Sequence, residues 1–279
     1  YIYMAFADKR EYAYWLDQSG NNNDWTSNAL TESDVMVDSP TNNFCTLNPL
    51  DYSNATMSEG NLRYDFTGSH HGSLTGTIGH STGKWYFEIY CEAHVSGSNS
   101  SHIGVMEDDT GVTTISWIAG GKWVVYEADG NKKIDGGGSA SYGAAYDDGD
   151  IIGVAVDIDN RDVTFYKNNV SQGQLSNVLA SGGTFRPFVG DGSSARGITN
   201  IANFGQDSSF AGNKTAQGNQ DSGSVGDFYY TPPSGFKALC TKNLPDVAVI
   251  PSEHFNTVTY SGTNATQSIS VGFQPDFIW

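Results

Sequence analysis

Gly149-Asp150-Ile151-Ile152-Gly153-Val154-Ala155-Val156-Asp157-Ile158-Asp159, followed at once by Asn160-Arg161-Asp162-Val163-Thr164-Phe165-Tyr166-Lys167-Asn168-Asn169, is the stretch from which the fold is read. Two runs of β-branched and aromatic residues are separated by Asp and Asn and closed by Asn-Asn. That is the pattern of antiparallel strands joined by tight turns. Residues 151–156 are nearly all apolar, which predicts a strand covered on both faces. In Val163-Thr164-Phe165-Tyr166 apolar and polar residues alternate loosely, which predicts one buried face. Gly83-Lys84-Trp85-Tyr86-Phe87-Glu88-Ile89-Tyr90, His102-Ile103-Gly104-Val105 and Phe185-Arg186-Pro187-Phe188-Val189 repeat the signature on either side. With 33 Gly, 13% aromatic residues and no amphipathic helical period of useful length, the chain reads as all-β. The expected core includes Trp85, Phe87, Ile89, Ile152, Val154, Val156, Phe165 and Phe188.

Taken in order, G-K-W-Y-F-E at 83–88, G-D-I-I-G-V-A-V-D at 149–157, T-F-Y-K-N-N at 164–169, and the pair Asn203-Phe204-Gly205-Gln206 and Pro232-Pro233-Ser234-Gly235-Phe236 resemble a SPRY domain. That module is a two-sheet antiparallel jelly-roll sandwich of the concanavalin-like class. The resemblance spans about residues 51–239. It implies a module that binds partners through its loops, is not an enzyme and carries no cofactor. Residues 207–226, rich in Gly, Ser, Asn and Gln, read as a flexible insertion between the last two family segments.

The flanks carry a second likeness. L-D-Q-S-G-N-N-N-D-W at 16–25, D-S-P-T-N-N-F-C-T-L-N-P-L at 38–50 and G-F-K-A-L-C-T-K-N-L-P at 235–245 resemble linkers of virion and tail-fibre proteins of marine bacteriophages. This implies a virion setting outside the cell. Partners would be other virion subunits, further copies of this chain among them, and a host-surface glycan or protein. Residues 1–50 then read as the terminal strand of a preceding domain plus an extended linker, on which Trp25, Phe44 and Leu47 fasten to a neighbouring surface. Residues 240–279 read as a linker followed by the first strands of another β domain: Asn256 to Tyr260, a turn at 261–264, Gln267 to Val271, and Phe277-Ile278-Trp279. The chain opens on Tyr1-Ile2-Tyr3-Met4 and stops inside an apolar strand, which predicts a segment of a longer protein. Strands at 1–7 and 271–279 are expected to be paired within sheets, because an unpaired apolar edge recruits other strands.

Net charge is −17, from 14 Lys plus Arg against 31 Asp plus Glu. No basic stripe exists to replace phosphate counterions, so nucleic acid is not the expected partner. Anionic membrane surfaces are disfavoured for the same reason. There is neither a transmembrane run nor a signal-peptide pattern. Cys45, Cys91 and Cys240 are an odd number at long spacings, without a zinc pattern, and read as ordinary buried thiols.

Paired carboxylates would be needed by a glycosidase, which is the alternative function on a concanavalin-like fold. Candidates are Glu88 with Glu92, the run 107–109, Asp147-Asp148-Asp150, and Asp157 with Asp159, but Asp flanking tight turns is expected on backbone grounds alone. Asp157-x-Asp159-Asn160-x-Asp162 alternates oxygen ligands yet lacks the Gly and Glu of a calcium loop; the 107–109 run is the better cluster. His70-His71 sits in a turn, where adjacent side chains of an extended chain diverge. No Ser-His-Asp arrangement and no phosphate loop can be read. A cellular ubiquitin-ligase adaptor, the third function weighed, would carry RING or B-box cysteines that this chain lacks.

Two readings attach to Trp117, Trp123, Tyr126 and Tyr142. As strand residues they belong to the core, which is the stronger reading. As loop residues they offer flat faces for sugar rings beside acidic neighbours. On the second reading the ligand surface is built by loops around 107–109, 115–123 and 134–142, with Glu107, Asp108, Asp109, Trp117, Trp123 and Tyr142 as its contacts.

Overall fold

In the computed structural model, residues 41–66, 72–94, 101–108, 122–192, 197–245 and 250–278 are described, together with 17, 19–21, 23, 24, 26, 38 and 39. The chain divides into two compact units, Tyr1–Asn243 and Leu244–Trp279. The first holds fifteen strands among the described residues: β1 (Leu47–Ser53), β2 (Thr56–Ser58), β3 (Arg63–Phe66), β4 (Ser73–Gly76), β5 (Lys84–His94), β6 (Ser101–Glu107), β7 (Trp123–Glu127), β8 (Asn131–Ile134), β9 (Ala140–Ser141), β10 (Ile151–Asp157), β11 (Asp162–Lys167), β12 (Val170–Leu175), β13 (Phe185–Asp191), β14 (Ile198–Asn203) and β15 (Lys237–Ala238). They form two sheets, in the orders β1-β4-β13-β6-β7-β8-β9 and β12-β11-β10-β5-β14-β3-β2, with β15 beside β5. Every pairing is antiparallel except β15 on β5.

The stretch quoted first lies at the heart of the second sheet. β10 runs between β5 and β11, with Val154 opposite Phe87 on one side and Phe165 on the other. The turn that closes β11 onto β12 is Asn168-Asn169, both at positive φ (47° and 66°). Two such residues between paired Lys167 and Val170 match the twist of a two-residue hairpin, and Asn tolerates that conformation better than most residues.

Alternate residues of β5, β10 and β11 (Phe87, Ile89, Val154, Val156, Val163 and Phe165) meet Leu74, Ile103, Val105, Val124, Tyr126 and Val189 of the other sheet in one continuous core. All eight expected core residues are buried. Phe188 belongs to a separate cluster with Met106, Trp123 and Val125 on the opposite face of the first sheet.

Residues 151–156 are apolar throughout because the second sheet is covered on its outside as well. Tyr86 and Ala155 point away from the sandwich core and pack with Phe44, Val225, Phe228, Ala238 and Cys240. Part of this cover, Val225, comes from the stretch read as a flexible insertion, and that expectation is corrected. Residues 207–226 form a tight set of turns in which Phe210 is fully buried against Tyr90 and Val225 is buried as well. Buried aspartates hold the turns. Asp207 accepts the amides of Ser209 and Ala211. Asp221 accepts the amides of Gly223 and Val225 on one oxygen, and the amide of Ala238 and the Asn243 side chain on the other. Gly and Ser were read as slack; here they serve aspartate-capped turns. Asp221→Ala would leave three backbone donors of a closed segment unpaired. We expect it to lower stability by about 2–4 kcal/mol in urea unfolding; a loss below about 0.5 kcal/mol, the range of ordinary surface substitutions, would refute that role.

The sandwich also reaches further back than residue 51. Phe44, Cys45 and Leu47 are buried, so two of the three residues read as fastening the linker do so, while Trp25 lies outside the described residues. Phe44 bridges Cys240, Cys45 donates its amide to Leu239, and Thr241 donates to Asn43. All three thiols are buried and unpaired with one another. Burial pushes the Cys45 thiol up to about 11.

In the second unit the expected hairpin is not formed. Residues 250–278 hold one 3-10 turn, Pro251–Glu253, and no strand, and 271–278 are not in a ladder. An isolated two-stranded hairpin is marginal in water, and Phe255, Tyr260, Phe277 and Ile278 are exposed here. Residues 1–7 lie outside the described residues.

Candidate functional site

Of the six residues expected at the ligand surface, four are described: Glu107, Asp108, Trp123 and Tyr142. Trp123 is 1% exposed, the first residue of β7, and packs with Met106, Val125 and Phe188. It is a core residue and cannot stack on a ligand; the strand reading of K-W-V-V-Y is the one that holds. Tyr126, its neighbour in that reading, is buried in the main core. Glu107 ends β6 and is itself buried, with its carboxylate 2.9 Å from Lys122 Nζ. Asp108 is exposed and lies 2.5 Å from Arg186 Nε, a guanidinium that also reaches Asp51 at 3.2 Å. Tyr142 is half-buried, its ring edge-on to Tyr126 and Phe165, and its hydroxyl donates to Gly173 O. Asp109 and Trp117 lie outside the described residues, as do His70 and His71.

The carboxylates considered for metal or acid–base work are mostly committed to the backbone. Asp157 accepts the Asn160 amide and side chain and pairs with Lys84 at 2.8 Å. Asp159 accepts the Gly83 amide, and Asp162 the Asn177 amide. These oxygens close turns and do not converge on an ion. Glu88 is fully buried on the outer face of β5, with four donors converging on it. They are the amides of Tyr229 and Tyr230, the Asn203 side chain and the Tyr86 hydroxyl. Burial pushes its carboxyl up to about 7, against the pull of those four hydrogen bonds. It fastens the cover to the sheet. Gly153 allows this: a Cβ there would come within 2.6 Å of the Tyr86 hydroxyl oxygen.

Glu127 is a further buried carboxylate. Its burial would raise the pKa, but hydrogen bonds from His102, Lys133 and Ser139 outweigh that and hold it at about 2. His102 Nε2 stands 2.9 Å from its oxygen and Lys133 Nζ 2.8 Å. An ionised carboxylate so neutralised is a structural element of the β6–β7–β8 ladder.

A surface depression of about 520 Å³ opens where the aspartate-capped turns meet the 42–44 segment. Its lining includes Asn42, Phe44, Gln217, Gln220, Asp227 and Lys242. Gln217 and Gln220 are exposed, and Asp227, the one carboxylate in the lining, accepts the Gly218 amide. Phe44 supplies an apolar floor, being buried against the cover. Side-chain amides with paired donors and acceptors, one ammonium group and one apolar patch make a surface for a polar, hydroxyl-rich ligand. Sequence reading passed over it because the 215–220 stretch looked like linker composition. Its one legible signal was the density of amide side chains.

Residues 84–206 match the SPRY domain family. Among solved structures, the SPRY domain of human HERC1 is similar at 18% identity and a TM-score of 0.49, over 56% of this chain and 96% of that one. A second human SPRY domain is similar at 17% identity and 0.43, over 54% and 96%. The stonustoxin structure is similar at 17% identity and 0.41, over 56% of this chain and 27% of that one. No curated protein matches. The family match, from Lys84 at the start of β5 to Gln206 at the start of the cover, falls on a two-sheet antiparallel sandwich, and over these residues the chain is similar to a SPRY domain.

Proposed function

We propose that the chain is a non-enzymatic binding module of a virion, displayed outside the cell, and that its SPRY-containing unit takes a host-surface glycan in the depression between Gln217, Gln220 and Lys242. The observation that carries this reading is the lining itself: amides, a lysine and an apolar floor, with a single carboxylate already engaged by the Gly218 amide. Glycoside hydrolysis uses two carboxyl groups roughly 5–9 Å apart across the scissile bond, so the lining favours binding over cleavage. The SPRY match over 84–206 supports a partner-binding role. The virion setting rests on the likeness of residues 16–25, 38–50 and 235–245 to phage linkers.

The test is a glycan array probed with the full chain and with Gln217→Ala/Gln220→Ala. Both side chains are exposed, so the variant should fold normally. We expect binding to a subset of surface glycans and at least a tenfold loss in the double variant, an order-of-magnitude figure for two lost polar contacts. Wild-type binding that the variant retains, but that Asp108→Ala reduces, would move the site to the 107–109 and 134–142 loops. No glycan bound by the wild type would overturn the ligand class. Release of free sugar from any bound glycan would overturn the non-enzymatic reading.

A further inference from the structure

We propose that His94, Asp147 and Asp148 form a binding site for one divalent metal ion of the zinc class, on the rim of the sandwich where β5 ends. The three side chains place one ligand atom each within 4.8 Å of one another. His94 Nδ1 and Asp147 Oδ1 are 3.8 Å apart, too long for a hydrogen bond and close to the roughly 3.4 Å between ligands of a tetrahedral zinc ion.

The imidazole carries the argument. Its side chain is 2% exposed, and its Nδ1 has no hydrogen-bond partner. A buried ring nitrogen left unmatched is unfavourable unless something occupies the space before it. Its other nitrogen, Nε2, lies 2.9 Å from Asn200 Oδ1. The Asn200 amide nitrogen is directed to the Tyr64 hydroxyl at 2.9 Å and to the Ser101 hydroxyl at 3.4 Å. With the Asn200 amide so oriented, Oδ1 faces the ring, and the Nε2–H tautomer that donates to it leaves Nδ1 with a lone pair. A histidine fixed in this way by an outer partner is the arrangement that metal-ligating imidazoles use.

The carboxylates are set by the loop before β10. Asp150 accepts the Asp147 amide, pairs with Lys167 and holds the loop in place. The Asp148 carboxylate accepts the His94 amide at 2.5 Å, which brings loop and strand end together. Asp147 is 79% exposed, with its oxygen toward the imidazole. One nitrogen and two carboxylate oxygens suit zinc and its neighbours in the transition series better than calcium, which prefers oxygen alone. With three protein ligands the ion keeps an open position toward solvent, available to water or to a carboxylate of a bound partner.

The full chain, stripped with chelator and desalted, is titrated with ZnCl2 by calorimetry, and with CoCl2 by visible absorption. We expect one ion per chain, a cobalt d–d band, and a rise in melting temperature with zinc. Asp147→Ala, on an exposed side chain, should weaken binding at least tenfold, an order-of-magnitude figure for a lost ligand. His94→Gln should abolish the cobalt band. Failure of the wild type to take up zinc would overturn the site. Unchanged affinity in Asp147→Ala would overturn it too, since uptake would then belong to other histidines.

Discussion

Glu88→Ala is expected to lower the stability of the sandwich unit by about 4 kcal/mol or more, because a buried acceptor of four hydrogen bonds disappears while its donors stay. Each donor stranded away from water costs roughly 1–3 kcal/mol. Two are backbone amides that cannot turn elsewhere. The same carboxyl predicts a pH dependence. In the unfolded chain it ionises near 4.5, whereas burial carries it to about 7 in the fold. Between those values the native state binds more protons than the unfolded one, so stability falls as pH rises through that window. The contribution is complete below 4.5 and is lost above 7, on the order of 3 kcal/mol at most for the fully buried group. The protonated form has a partner at hand, since the Tyr86 hydroxyl can rotate from donor to acceptor. Urea unfolding at pH 4.5 and pH 7 should therefore show a steeper loss in the wild type than in Glu88→Gln. Parallel slopes would remove Glu88 as the titrating group.

Trp85→Ala should cost about 3–5 kcal/mol, the range for deleting a buried aromatic. The indole is 5% exposed and stacks on His80 with ring centres 3.4 Å apart. Its Nε1 donates to Thr82 O at 2.7 Å. Trp85 faces Val156 across the ladder and lies beside Lys237 of β15, so the cavity would open where three strands meet. Trp85→Phe keeps most of the packing and loses the hydrogen bond, for about 1 kcal/mol. Comparable losses in the two variants would mean that the bond, and not the packing, carries the effect.

The sandwich was legible because period-two alternation and turn chemistry are local. Val163 and Phe165 point inward and Thr164 outward as written, and Asn168-Asn169 closes the hairpin. The near-continuous apolar run at 151–156 correctly required a second covering layer, yet nothing local said which residues supply it. Phe44, Phe228, Ala238 and Cys240 do so from outside the 207–226 stretch, and Val225 from within it, where the composition looked like slack chain. Composition registers glycine and serine there; it does not register that Asp207 and Asp221 satisfy the backbone from within. Trp123 kept two readings, core and surface, for a related reason. A sheet with apolar residues on both faces makes core and surface tryptophans look alike in sequence. The His94 cluster was not visible either, because its members are brought together by pairing between strands distant in sequence. Even the histidine's decisive partner, Asn200, is 106 residues away.

The clasp at the two ends of the sandwich bears on how the unit would behave under load. Asn42, Asn43, Phe44 and Cys45 meet Lys242, Thr241, Cys240 and Leu239 in antiparallel fashion, through Thr241 N to Asn43 O, Cys45 N to Leu239 O and Lys242 N to Asn42 Oδ1. Entry and exit of the chain are therefore neighbours. A pull through both acts across the pairs, along the direction in which antiparallel bonds lie. Bonds so arranged are met one at a time, as in a zip, instead of sharing the force as a sheared ladder does. Tension on the flanks would first peel residues 42–45 from 239–242 and bare the floor of the depression at Phe44, while the two sheets stayed closed.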